Sequence, residues 1–132
     1  MQDFKKLRVW RSAHALALNV AESAREIRDT DYSSIRRQLI KTGFQITANI
    51  VEGREKSSEA EFVRHLEIAK GSVSELEQHI ISAHDLELIS GERFHALTDQ
   101  VESVRKMLTT LIKTVRKSIT DTDERRRKTK II

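Results

Sequence analysis

The chain has 132 residues, no cysteine, no proline, four glycines and 33% charged residues. That length suits one domain around one continuous core, and 5% aromatic content is too thin for most β-rich cores. Without cysteine there is no disulfide or thiolate metal site. With no signal-peptide segment and no long apolar run, a cytoplasmic protein without a membrane partner is expected.

The net charge of +4 is unevenly placed. From Lys113 to Ile132 eight basic residues stand against three acidic ones, a balance of +5 that leaves the rest of the chain at −1. A basic end of this kind is either a solvated tail or a nucleic-acid contact.

The first helix is expected from Phe4 to about Arg28, capped by Asp3. Its face carries Trp10, Ala13, Leu16, Ala17, Val20, Ala24 and Ile27 at helical spacing. Asp29-Thr30-Asp31 interrupts the pattern, with Asp31 as N-cap of the second helix. There Ile35, Leu39, Ile46 and Ile50 form one stripe, and Ile40, Phe44 and Val51 lie beside it. A helix apolar on two sides is expected to bury one side in its own bundle and the other against a neighbouring subunit. Gly53 is expected to close it with a positive φ, and Ser58 with Glu61 to open the third helix as a capping box.

The third helix has the cleanest signal. Phe62, Leu66, Ala69, Val73, Leu76, Ile80 and Ala83 alternate steps of four and three, a seam for left-handed packing. Ser90 is placed to cap a fourth helix carrying Phe94, Leu97, Val101, Val104, Leu108, Leu111 and Val115. At about 28 residues each, these two helices would span about 40 Å. Residues 1–120 therefore read as an all-α, antiparallel up-down-up-down four-helix bundle. Residues 121–132 read as a basic, disordered tail.

Polar residues near the corner and in the third helix suggest a structural cluster of Asn49, Glu52, Ser72 and Glu75. A carboxylate in a helix's last turn opposes the macrodipole, so Glu52 needs a compensating partner. Gly71 inside a helix suggests close approach of another helix, and Trp10 suggests a core plug ahead of the alternative, an interface anchor. Catalytic patterns are missing. A di-metal carboxylate bundle needs two Glu-x-x-His motifs, and only Glu92-Arg93-Phe94-His95 fits. Lys70-Gly71-Ser72 has the wrong order and setting for a phosphate loop. No metal, no cofactor and no enzymatic activity are expected.

Leu7-x-Val9-Trp10-x-x-Ala13-x-x-Leu16, Gln38-Leu39, Asn49-Ile50-x-Glu52-Gly53 and Ala69-x-Gly71-Ser72-x-x-Glu75-Leu76, in that order, resemble a known family. It is the S23 family of four-helix bundle proteins encoded in 23S ribosomal RNA intervening sequences. The resemblance covers about residues 4 to 115. It implies a bacterial cytosolic homopentamer with no established enzymatic activity. It also implies a fold like that of the accessory protein of diversity-generating retroelements, which binds nucleic acid and a reverse transcriptase.

Two functional expectations follow. In the first, the protein binds nucleic acid, RNA in particular, by phosphate contacts. These come from Arg36, Arg37 and Lys41 on the second helix and from Arg125, Arg126, Arg127, Lys128 and Lys130 in the tail. In the second, it is a scaffold or adaptor ring for another protein such as a reverse transcriptase.

Overall fold

The computed structural model describes residues 3–131, with side chains as far as Thr129. Four helices make up the bundle: α1 Arg8–Arg25, α2 Ser33–Arg54, α3 Glu59–Asp85 and α4 Gly91–Ile131. Short 3₁₀ turns at Phe4–Lys6 and Thr30–Tyr32 precede α1 and α2. The described residues contain no strand. Each helix packs on its sequence neighbours, and α4 returns to α1, which closes the antiparallel bundle.

The local signals set most of the element ends. Asp3 Oδ1 accepts from the Lys5 N–H at 3.0 Å. The Arg11 guanidinium donates to the Lys5 and Lys6 carbonyls, which fixes the first turn against α1. Ser58 Oγ accepts from the Glu61 N–H at 3.2 Å, and Ser90 Oγ from the Arg93 N–H at 3.1 Å. Glu61 itself pairs with Arg64, so only the serine half of the expected capping box forms. Asp29, not Asp31, caps the turn ahead of α2, accepting from the Asp31 N–H at 2.9 Å. A 3₁₀ turn takes up the residues between, and α2 starts after Tyr32 without a side-chain cap.

The expected α3 seam is buried in full, from Phe62 to Ala83. It meets Leu39, Ile46 and Ile50 of α2, with Leu97, Val101, Val104, Leu108 and Ile112 of α4 in the same core. From α1 come Val9, Ala13, Leu16, Val20 and Ala24. Trp10 is not a core plug. It is half-buried at the bundle edge, stacked on His14 at 4.8 Å and edge-on to Phe4 at 5.1 Å.

Ion pairs fix the register of the outer seams. Arg105 of α4 reaches Glu77 of α3 at 2.7 Å and also pairs with Glu102, while Arg116 reaches Glu67 at 2.7 Å. Arg93 binds Glu26 at 2.6 Å and Ser23 Oγ at 3.1 Å, tying the start of α4 to the end of α1. The α1–α4 seam is the loosest of the four, with open cavities of about 440, 390 and 300 Å³ along it.

Two glycines differ from expectation. No glycine has a positive φ. Gly53 is buried in the last turn of α2, where an added Cβ would lie 2.7 Å from His65 Cβ and 3.1 Å from Phe62 Cδ1. Its task is close approach of α2 to α3. Gly71 is exposed, with no atom within 4 Å of an added Cβ, so no helix approaches there. The left-handed position falls instead on Glu87, at φ 61°. The Leu88 N–H binds the Ala83 carbonyl at 2.8 Å and the Glu87 N–H binds that of His84 at 2.9 Å, a Schellman closure of α3.

These backbone features give two predictions. Glu87→Gly should raise stability by about 0.5–1 kcal/mol, because an L side chain resists the left-handed region. Chemical denaturation checks it, and a loss of stability would show that the Glu87 side chain has a role that outweighs its backbone strain. Gly53→Ala should cost about 1–3 kcal/mol by overpacking against His65, whereas Gly71→Ala should gain about 0.5–1 kcal/mol of helix propensity. Equal effects of the two alanines would refute the assignment of close approach to Gly53.

Candidate nucleic-acid interface

The two groups of basic residues expected to contact phosphate, one on α2 and one beyond residue 120, lie at opposite ends of the bundle. Arg36 sits in the first turn of α2, half-buried, and its Nη1 donates to the Ile27 carbonyl at 2.5 Å. That bond satisfies a backbone acceptor just past α1, so Arg36 is a connector of the α1–α2 corner. Arg37 and Lys41 are exposed nearby. The second group stands beyond the other pole, where Ser118 of α4 meets Glu59 at the start of α3. From Arg36 to Arg54 alone, α2 covers about 27 Å.

The second group is also helical. α4 continues through Asp121 to Ile131, where a disordered tail is expected from composition. The spacing accounts for it. Asp121, Asp123 and Glu124 precede Arg125, Arg127 and Lys128 by four residues each, with the acid on the N-terminal side, the favourable order on a helix. Cations in the last turns also suit the helix dipole. Residues 120–129 are exposed throughout, so this stretch projects past the core. The backbone of Lys130 belongs to α4, and its side chain lies outside the described residues.

Other cations collect at the same pole. Lys5, Lys6 and Arg8 come from the 3₁₀ turn and the start of α1, and Lys56 from the α2–α3 connection, all exposed. Arg8 and Lys106 share a cavity wall with Thr110 and Thr114 of α4. Arg54 is half-buried over the Phe62 ring, its guanidinium carbon 5.4 Å from the ring centre. Asp3, Glu52, Glu55, Glu59 and Glu61 share this end, and Lys5 lies 3.8 Å from Asp3. No linear motif marks the group, whose members are separated by up to the whole chain. An antiparallel four-helix order does mark it, because it brings the first, second, third and fourth helices together at that pole.

The expected polar cluster does not form. Asn49 Nδ2 donates to the Gln45 carbonyl of its own helix at 2.9 Å, and Glu52 is exposed. Ser72 is buried in α3, and Glu75 is exposed, 3.9 Å from His79. Exposure explains how Glu52 tolerates the end of a helix without a partner, since water screens the dipole there. The corner is held by the packing of Gly53, Phe62 and His65 instead.

A different surface is apolar. Trp10, His14 and Leu18 follow one another at four-residue steps on α1, and Leu18 is 50% exposed. Phe44, 37% exposed, lines a shallow cavity of about 470 Å³ with Trp10, His14, Ala48 and Val51. This is the second apolar side of α2 expected from its sequence. Among the described residues no group of His, Asp or Glu is placed to hold a metal ion, and no helix is long and apolar enough to cross a membrane.

Comparison with known proteins agrees with this architecture. The family model described as 23S rRNA-intervening sequence protein matches residues 5–110, and the chain belongs to that family. A crystal structure of a protein of unknown function from the S23 ribosomal protein family of Bacteroides thetaiotaomicron is similar in fold. Its TM-score is 0.74 at 23% identity, over 80% of this chain and 98% of that one. No curated protein matches the sequence. The family match stops short of the projecting end of α4.

Proposed function

We propose that this member of the 23S rRNA-intervening sequence protein family is a non-catalytic, self-associating bundle that binds nucleic acid through phosphate contacts. The observation that carries the reading is the run of cations that α4 projects past one pole, since at the pole itself Lys5, Lys6, Arg8, Arg54 and Lys56 are matched by Asp3, Glu52, Glu55, Glu59 and Glu61. Arg125–Lys128 project on α4 above Lys5, Lys6, Arg8 and Lys56, and the body of the chain away from Lys113–Ile132 carries a charge of only −1. The stretch from Lys113 onward has no aromatic residue, so base stacking of the kind single-strand readers use has no platform there. Arginine and lysine would neutralise phosphates and release counterions, with little dependence on sequence.

Self-association is supported by the apolar face of α1 and α2, where Phe44 stands in the open beside Trp10 and Leu18 is exposed two turns further along α1. A ring, as the family resemblance implies, would bring several such runs to one strand and multiply a weak contact. The same face supports a second reading, an adaptor surface for another protein.

Two measurements test these readings. Binding of RNA and DNA at two or more salt concentrations should weaken steeply with salt. Truncation after Thr120 removes five cations and three anions, and should flatten the salt slope by up to roughly 3.5 to 4.5. Unchanged slope and affinity would make the end of α4 a solubilising appendage, and no binding at low salt would favour the adaptor. Light scattering at micromolar concentration should show an oligomer, and the double variant Leu18→Asp/Phe44→Asp should dissociate it without unfolding, since both side chains are exposed. A full-length monomer at that concentration would sink self-association.

A further inference from the structure

We infer that the part of α4 projecting past the bundle is a groove-insertion helix for double-stranded DNA, an inference that rests on the nucleic-acid reading above and names the form of nucleic acid. Three properties of the segment lead there. It is a continuous helix from Gly91 to Ile131, with every residue from Thr120 to Thr129 exposed, so no part of the bundle covers it. Its last eleven residues extend about 16 Å from the body, and a helix with side chains is about 10–12 Å across. The major groove of B-form DNA is about 12 Å wide and 8.5 Å deep, a fit for one helix along the groove.

The second property is the arrangement of charge around the axis. Arg125, Arg126, Arg127 and Lys128 are consecutive, and at about 100° per residue they occupy one full turn. A helix lying on a flat phosphate surface would use cations along one side. One seated in a groove meets phosphates on both walls, and a complete ring of cations serves both. The acids Asp121, Asp123 and Glu124 occupy the turn before. Charge is therefore polarised along the projection, negative toward the bundle and positive away from it, which directs the Arg125–Lys128 turn toward phosphate.

The third property is what the segment lacks. An A-form RNA duplex has a deep, narrow major groove that side chains do not enter, and single strands are gripped by aromatic stacking. The segment has no aromatic side chain, and a rigid rod of this width has no seat in the RNA groove. Although the sequence pointed to RNA, the shape of the charged element favours duplex DNA. At the base of the projection Lys5, Lys6, Arg8 and Lys56 are exposed among Asp3, Glu52, Glu55, Glu59 and Glu61, so the cations offered to phosphate without acids around them are those of the Arg125–Lys128 turn.

The experiment compares the full chain on duplex DNA, duplex RNA of the same sequence, and single-stranded DNA, at one ionic strength. Duplex DNA should bind tighter than either of the others by about tenfold or more. Replacing Arg125, Arg126, Arg127 and Lys128 together by glutamine should erase that preference. The charge-preserving variant Thr122→Pro interrupts the helix, and should also lose the preference for duplex DNA while retaining the weaker binding to RNA. Because residues 120–129 pack on nothing, both variants should keep the parent melting temperature, and circular dichroism verifies that they fold. Equal or tighter binding of duplex RNA, or an undiminished preference in Thr122→Pro, overturns the groove-insertion helix and leaves the phosphate-binding reading standing. Absence of binding to every nucleic acid at low salt overturns both.

Discussion

The bundle depends on the unbroken apolar seam of α3. Seven residues from Phe62 to Ala83, spaced as a heptad, are buried against α2 on one flank and α4 on the other. At about 25 cal/mol per Å² of apolar surface, side chains of this size contribute about 1.5–3 kcal/mol each for the larger ones, before the entropy of ordering is counted. No other helix holds two neighbours in this way with so regular a face. The neighbours then take their places from α3: Gly53 lets the end of α2 close onto Phe62 and His65, and Arg105 and Arg116 set α4 in register through Glu77 and Glu67. These pairs are partly exposed, and their role is alignment more than stability.

Periodicity made the core legible, because a helix that buries one face must repeat its apolar residues at that helix's own period. All seven α3 positions and four of the seven α4 positions expected in the core are fully buried, and the serine caps at Ser58 and Ser90 lie where their spacing put them. What periodicity does not carry is tertiary placement. Gly53 and Gly71 look alike in sequence, yet one meets His65 and Phe62 and the other meets nothing. Glu87 gave no signal, because turn preferences favour glycine or asparagine where the chain here accepts a strained glutamate.

The candidate site was legible only by halves. Sequence marks Arg36, Arg37 and Lys41 and the Arg125–Lys130 run as basic, and the expected antiparallel order already separates the start of α2 from the end of α4, but composition hid that the second group is helical. Arg36 shows a further limit: an arginine counted as surface charge is committed to the Ile27 carbonyl. The polar cluster failed for a related reason. Asn49, Glu52, Ser72 and Glu75 have suitable chemistry, but Asn49 satisfies itself on its own helix and Glu52 and Glu75 keep their water.

The helical end of α4 raises a question of energetics, since an isolated helix shorter than about 12–15 residues is marginal in water. The cost that makes short helices marginal is nucleation, the ordering of several residues before the first hydrogen bond is gained. Here the nucleus is already in place, because Leu97 to Ile112 are packed in the core and Val115 and Ile119 continue the stripe half-buried. Each residue after Ile119 only propagates an existing helix, and arginine, lysine and glutamate propagate well. The acid-before-base order from Asp121 to Lys128 suits a helix, although among the described residues none of its three pairs closes to an ion pair, and the cations of the last turn offset the helix dipole. Charge therefore serves two ends in the same residues. The four cations that stabilise the last turns are also the four left facing outward in every direction. A phosphate on either side would find them ordered in advance, so binding would cost less conformational entropy than capture by a flexible tail of the same composition.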